Sequence, residues 1–442
     1  MTASADPPPP NGATTHVVGA GLAGLACAVR LVGAGRRVAL HEAAGHAGGR
    51  CRSFFDAALG CSIDNGNHLM LGGNDATMAY LDAIGARDGL RSAPDVVFPF
   101  VDLRTGARWS LRPNRGRLPW WILVPSRRVP DSTLGDYLAT RRLARARADQ
   151  TVAEVLDTTR PIFERFWEPI AVAVLNAATD EGAARLLWPV IELTFGRGGE
   201  ACRPFVARES LSASLVDPAV DWLVERGAPP GFGRRLRRLD FEGARVRRLD
   251  FGETAVDLGD GDGVVLAVPP ARAAELLPDI EVPRESRAIV NAHYRLAAPV
   301  RFPDDSPLLG LVGGHAQWIF LRGDVAAVTV SAADAMLDTP ADELAALLWA
   351  DVARAIGTPD APLPTYRIVK ERRATFAQTP DEVARRPPAR TRYANLWLAG
   401  DWIDTGLPAT IESAVRSGHD AARLARLSHQ GQVRHGGYRT TG

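Results

Sequence analysis

Thr15-His16-Val17-Val18-Gly19-Ala20-Gly21-Leu22-Ala23-Gly24 decides the fold, together with Glu42 eighteen residues further on. The stretch predicts a strand at 15–18, a glycine turn and a helix over 22–32 stopped by Gly33 and Gly35. A second strand at 37–41 then leads into the carboxylate. A GxGxxG string alone is weak, and here its strand–turn–helix context gives it meaning. Gly19 permits the tight turn, Gly21 lets the backbone approach a pyrophosphate, and Gly24 lets the helix close on the sheet. The helix start, with Leu22 and Ala23, offers unpaired N–H groups and a positive dipole end to phosphates. Glu42 is placed to accept from a ribose 2′-hydroxyl, which favours FAD or NAD over NADP.

A second glycine turn, Gly45-His46-Ala47-Gly48-Gly49-Arg50, follows at once. A flavin dinucleotide is too large for one turn, and a second loop ending in a cation would clamp its pyrophosphate from the other side. Gly48, Gly49 and Arg50 are read in that role.

The chain of 442 residues is 46% apolar and 23% charged, the profile of a globular protein with a sizeable core. A net charge of +1 gives no reason to expect a nucleic-acid partner. Lysine occurs once, at Lys370, so basic charge is almost all arginine. The four cysteines lack CxxC spacing and suggest a reducing compartment, and no metal site is read. There is no apolar run of eighteen and no basic-plus-apolar leader at the N-terminus, so a cytoplasmic location is expected. Residues 1–13, with four consecutive prolines, and 427–442 read as disordered tails.

Between the tails the pattern changes several times. Residues 111–205 look helical and aromatic-rich, with a capped helix start near Asp131–Tyr137. Alternation at 244–249 and 255–258 predicts a hairpin, and Gly263–Val268 is a continuous apolar run suited to a buried parallel strand. Strands at 318–321 and 327–330 and an amphipathic helix over 342–356 follow. The expected architecture is α/β. A Rossmann-like FAD-binding domain (14–110, 206–275 and 390–426) is interleaved with an α+β substrate-binding domain (111–205 and 276–389).

Near the C-terminus, Asn395-Leu396-Trp397-Leu398-Ala399-Gly400-Asp401 predicts a short strand ending in a carboxylate. A helix starting near Pro408 or Thr410 follows, with a stripe of small residues at Ala414, Gly418 and Ala422. Asp401 could meet a ribityl or phosphate-linked hydroxyl. The helix start, with Thr410, Ile411 and Ala414, could face the pyrimidine end of a flavin.

Together these residues resemble the flavin-containing amine oxidoreductase superfamily, which includes the phytoene and ζ-carotene desaturases. The narrower resemblance is to the squalene-associated FAD-dependent desaturase group. It is carried by Gly48–Ser53, Ile63-Asp64-Asn65-Gly66-Asn67-His68-Leu69, Trp167-Glu168-Pro169, Leu175-Asn176, Ala374-Thr375-Phe376, Leu398–Trp402 and Thr405–Glu412. The resemblance implies FAD as cofactor, with Gly66, Asn67, His68 and Val246 joining the cofactor set. It implies a bacterial enzyme that replaces the hydroxyl of hydroxysqualene with hydrogen to give squalene, on the route to hopanoids. Its partners would be a hydrophobic C30 isoprenoid and an external electron donor.

Such chemistry needs a proton donor for the leaving hydroxyl. Asp64, His68 and Asp404 are the candidates. Glu412 and His293 are weighed beside them, each open to a purely structural reading. Trp120, Trp121, Phe163, Phe166, Trp167, Trp188 and Phe195 could line an apolar tunnel or simply pack a core. Leu118–Pro125, an apolar run between arginines, could touch the inner face of the cell membrane or form a buried hairpin. A carotenoid desaturase remains an alternative on the same fold. An amine oxidase is a second, although Lys370 lies in a charged run unsuited to a flavin-facing lysine. A lipid carrier without catalysis is a third.

Overall fold

The computed structural model describes residues 12–436. The elements that position the site begin with β1 (Thr14–Val18), α1 (Leu22–Gly33), β2 (Arg37–His41), β3 (Cys61–Asp64), α2 (Asp75–Ala83), β4 (Phe98–Asp102), β5 (Arg108–Leu111) and α3 (Leu134–Ala139). They continue with β6 (Arg245–Asp250), β7 (Gly263–Leu266), β8 (Ser286–Arg295), β9 (Leu308–Val312), β10 (Trp318–Arg322) and β11 (Val325–Val330). Last come α4 (Ala341–Ile356), β12 (Tyr366–Phe376), β13 (Leu396–Leu398) and α5 (Ile411–Gly436).

Four of these strands form an all-parallel sheet in the order β13-β7-β1-β2. Val17 sits between Leu40 and Val265, and Val265 pairs on with Trp397. The apolar run at 263–266 is fully buried, as a central parallel strand requires. The two ends of the chain meet here. Helix α5 lies on α1 so closely that a Cβ at Gly418 would stand 2.2 Å from the Ala23 carbonyl oxygen. The small-residue stripe read from the sequence is therefore a packing seam.

A second sheet has seven strands in the order β12-β8-β11-β10-β9-β4-β5, antiparallel except where β9 meets β4. Helix α4 packs on one face, with Tyr294 and Trp349 rings 5.2 Å apart. The other face carries the aromatic core. The expected domain boundary at residue 110 cuts through β5, and both β4 and β5 belong to this large sheet. Their short sequences do not reveal which sheet they join.

The 244–258 hairpin is present, extended by a further strand at Arg238–Glu242. Thr133 and Asp136 form a reciprocal cap at the start of α3. The C-terminal tail expected from 427 is shorter than read, because α5 runs on to Gly436. Residues 1–11 and 437–442, the outer parts of both expected tails, lie outside the described residues.

Candidate active site

The glycine turn is built by close backbone approach. A Cβ on Gly24 would stand 1.8 Å from the Gly19 carbonyl oxygen, so the α1–β1 junction has no room for a methyl group. Above Gly21, by contrast, a Cβ would meet nothing within 4 Å. Gly21 is the N-cap of α1, with no side-chain cap and no acidic residue in the first turn. The free N–H groups and the helix dipole therefore point into open space, which suits an anionic ligand.

Glu42 anchors the far side of the turn. Its two oxygens accept from Ala20 N at 2.7 Å and Ala44 N at 2.8 Å. Each oxygen keeps a further lone pair for a ligand hydroxyl. The second glycine loop leans on the first. Gly48 N donates to Ala20 O at 2.8 Å, and Gly48 takes the left-handed φ of 96° that glycine tolerates. From this loop Arg50 donates to Asp401 Oδ1 at 2.6 Å and to the Ala374 carbonyl at 2.5 Å. Three segments of the resemblance, at 48–53, 374–376 and 398–402, thus converge on one guanidinium.

Asp401 is held from a second side. The guanidinium of Arg386, buried without a carboxylate partner, donates to the carbonyls of Asp401, Trp402, Ile403 and Leu407. Burial pulls its pKa down to about 10. Beyond this loop Thr410 Oγ1 accepts from Ser413 N and caps α5, whose residues Ile411 and Ala414 follow. Gly400 N donates to Ser417 Oγ at 2.8 Å. Open donors at α1, a ribose-height carboxylate, a cation at the second loop and a splinted C-terminal turn are what a flavin dinucleotide needs, and the residues fit FAD.

Val246 does not join this set. It is buried in β6, and both its backbone groups are taken by the Asn395 side chain, at 2.9 and 3.0 Å.

Beside the 64–68 loop lies a cavity of about 290 Å³, lined by Asn67, His68, Leu211, His293, Phe320 and Arg322 among others. Its loop is fixed from the large sheet. Asn67 Nδ2 donates to Thr329 Oγ1 at 3.0 Å, Thr329 Oγ1 donates to Asn291 Oδ1 at 2.9 Å, and Gly66 packs near the Asn291 amide.

The candidate acids separate clearly. Asp64 is buried and committed. It accepts from Ser53 Oγ at 2.6 Å and Leu211 N at 2.9 Å, and its second oxygen is paired with Arg322. It orders the cavity wall and is not a free acid. Asp404 is exposed and caps its own turn through Gly406 N. Glu412 is buried against the start of α2, accepting from Ala76 N, Thr77 N and Thr77 Oγ1. Of Asp64, His68 and Asp404, His68 alone is half-buried on the cavity wall with no carboxylate or arginine partner among the described residues, its Nε2 3.9 Å from Cys51 Sγ. Burial holds His68 down at about 4 and pushes the Cys51 thiol up to about 12, so both are neutral near pH 7.

His293 lines the same cavity from β8, buried, with no partner at Nε2 and its pKa lowered by burial to about 4. Alternation with Asn291 on one strand face was its only sequence signal. Arg322, Arg386 and Thr329 had none. The expected aromatic tunnel is largely filled by its own rings. Phe166 and Trp167 centroids lie 4.7 Å apart, Trp121 meets Tyr137 edge-on at 5.2 Å, and Trp120 points outward. Lys370 donates to the carbonyls of Leu337 and Thr339, away from the cavity.

The model of the family described as flavin containing amine oxidoreductase matches residues 22–425. A hydroxysqualene dehydroxylase of Rhodopseudomonas palustris is 48% identical, over 93% of this chain and 98% of that protein. Another from Sinorhizobium fredii is 46% identical, over 93% and 97%. Among solved structures, a cyclohexylamine oxidase of Brevibacterium oxydans has the same fold, with a TM-score of 0.68 at 15% identity over 94% of this chain and 99% of that one.

Proposed function

Because the chain belongs to the flavin-containing amine oxidoreductase family and is an FAD-dependent oxidoreductase, we propose that it reductively dehydroxylates hydroxysqualene to squalene. The observation that carries this reading is the 48% and 46% identity to hydroxysqualene dehydroxylases along nearly the whole of both chains. The net change replaces C–OH by C–H and releases water, consuming two electrons and two protons. Reduced FAD, when bound, supplies hydride to an electrophilic carbon.

The chain's own residues do the rest. Gly19, Gly21, Leu22, Ala23 and Gly24 present the phosphate-binding backbone, and Glu42 takes the ribose. Gly48, Gly49, Arg50, Gly400 and Asp401 close over the dinucleotide, and Thr410, Ile411 and Ala414 present the α5 start. Gly66, Asn67 and His68 form the wall between cofactor and cavity. His68 takes up a proton from solvent and passes it to the carbinol oxygen, so that water departs and the ring returns to its neutral form, while Ile63, Leu211 and Phe320 line the cavity beside the allylic cation left behind. The cavity of about 290 Å³ beside the 64–68 loop receives the reacting segment of the substrate. An external donor re-reduces the flavin, and the substrate reaches the site from a membrane surface that the chain touches peripherally.

The test is to incubate the FAD-loaded protein anaerobically with hydroxysqualene and a flavin reductant, with phytoene and with simple amines. Squalene from the first is expected. Desaturated carotene from the second, or peroxide from aerobic incubation with the third, in place of squalene would overturn it.

A further inference from the structure

The apolar run at 118–125 does not form a buried hairpin. It makes a short turn over Trp120–Leu123 that sinks Trp121 and Ile122 and leaves Leu118, Trp120 and Leu123 80%, 49% and 61% exposed. Trp121 meets Tyr137 of α3, so α3 is the neighbouring element. On α3, Leu134 and Leu138, one helical turn apart, are also exposed. Five large apolar side chains thus stand out on two adjoining elements, where isolated ones would need no explanation.

Charge surrounds them. Residues 115–147 contain eight arginines and two aspartates, with no lysine, glutamate or histidine, a net +6 in a chain whose total is +1. Both aspartates are paired with arginines from outside the segment, Asp131 with Arg165 at 2.6 Å and Asp136 with Arg160 at 2.8 Å, while of the eight arginines Arg147 is paired with Asp149 at 3.1 Å and Arg115 lies 3.8 Å from Glu200. Arg127 lies over the Trp120 ring at 4.8 Å, the geometry of an aromatic anchor backed by a cation. Trp120 is bonded in sequence to Trp121. From Trp121 a chain of ring contacts runs inward through Tyr137, Trp167 and Phe166 to Phe100 and Trp318 of the large sheet.

We propose that this face, with Leu118, Trp120 and Leu123 as its tip and the arginines of 115–147 as its collar, docks on an anionic phospholipid surface. An apolar tip enters the acyl boundary while the guanidiniums stay at the head groups, and opposite charge selects the acidic lipids. A protein partner would need a matching acidic hollow. A lipid surface needs only what the face already shows, protruding apolar groups on a strongly basic stretch with Arg127 against Trp120. The use of this face for substrate entry rests on the dehydroxylase reading, and the docking itself does not.

The test is flotation of the full-length, FAD-loaded protein with vesicles of phosphatidylcholine alone or with about 30% phosphatidylglycerol. Wild type is expected to float with the acidic vesicles and about tenfold less with the neutral ones. Leu118→Ser/Trp120→Ser/Leu123→Ser and, separately, Arg117→Gln/Arg141→Gln/Arg142→Gln are each expected to lower recovery about tenfold while keeping flavin absorbance. Both should keep turnover of detergent-dispersed substrate. Equal flotation of the apolar-tip variant, or no preference for acidic vesicles, would overturn the proposal. So would a wild type that does not float but sediments as a dimer dispersed by the tip variant, which would make the face a contact between copies. Flotation without squalene formation would sink the dehydroxylase reading and leave this face standing.

Discussion

Around Gly19–Gly24 the main chain itself makes the site; around Asp64 and His68 side chains from distant strands make it. In the first region the ligand-facing groups are N–H donors of one helix, and what matters is the absence of atoms, such as a Cβ on Gly24 or anything above Gly21. In the second, Asp64, Asn67, Asn291, Arg322 and Thr329 come from three parts of the chain and hold one another by hydrogen bonds. The first tolerates no added volume at Gly24 or in the ligand space above Gly21, and the second no unpaired partner. Perturbing each in its own terms separates them.

Gly24→Ala should have the largest effect. The methyl would overlap backbone that cannot retreat, at a cost of about 3 kcal/mol or more in denaturant unfolding, with loss of flavin. Gly21→Ala, three residues earlier, should cost under about 1 kcal/mol in stability and yet weaken flavin retention, since its Cβ projects only into the ligand space. Equal destabilisation by the two would erase the distinction.

Arg386→Met leaves four carbonyls of the 401–407 turn without their donor. Unfolding should become easier by about 3 kcal/mol, with flavin released at lower denaturant. Unchanged flavin affinity in a folded variant would show that the turn does not need its splint.

His293 adds a pH dependence. Its ring titrates near 6.5 when unfolded and about 4 when folded, so unfolding takes up a proton between those values. The associated stability is complete above pH 6.5 and declines as pH falls toward 4, by up to about 3 kcal/mol. His293→Gln should flatten the curve of stability against pH in that window relative to wild type. A parallel curve would mean that the ring titrates alike in the folded and unfolded states.

Arg322→Met strands a buried carboxylate and should cost about 2 kcal/mol, discounted because Arg322 is partly exposed. Adding Asp64→Asn should recover at least half of that loss and preserve squalene formation. A dead double variant that folds would return Asp64 to the role of acid. Asp404→Asn, on an exposed turn, should stay within about 0.5 kcal/mol of wild type and keep its activity.

The same contrast explains what could be read from the chain. The β1–α1–β2 unit, the 263–266 strand, the C-terminal strand and the seam at Gly418 were legible because each meets a local demand, a turn, a close approach or a run buried on both faces. The demand recurs at fixed short spacing. Asp64 was legible as a candidate but not as a committed ion pair, because Arg322 lies 258 positions away at the end of a hairpin that looks like any other. Arg386 was hidden for the same reason, since its partners are carbonyls and carbonyls carry no residue identity. The strand pattern at Val246 does not show that the Asn395 side chain bonds its backbone N–H and carbonyl. The membership of β4 and β5 in the large sheet depends on partners some two hundred residues distant.

In the proposed reaction, flavin held by the first region reduces an allylic alcohol held by the second. Its most direct test is a single turnover, with the FAD-loaded protein reduced anaerobically, freed of excess reductant and mixed with hydroxysqualene. Flavin should reoxidise as squalene forms, one molecule for each flavin. A flavin that stays reduced with hydroxysqualene untouched would contradict it.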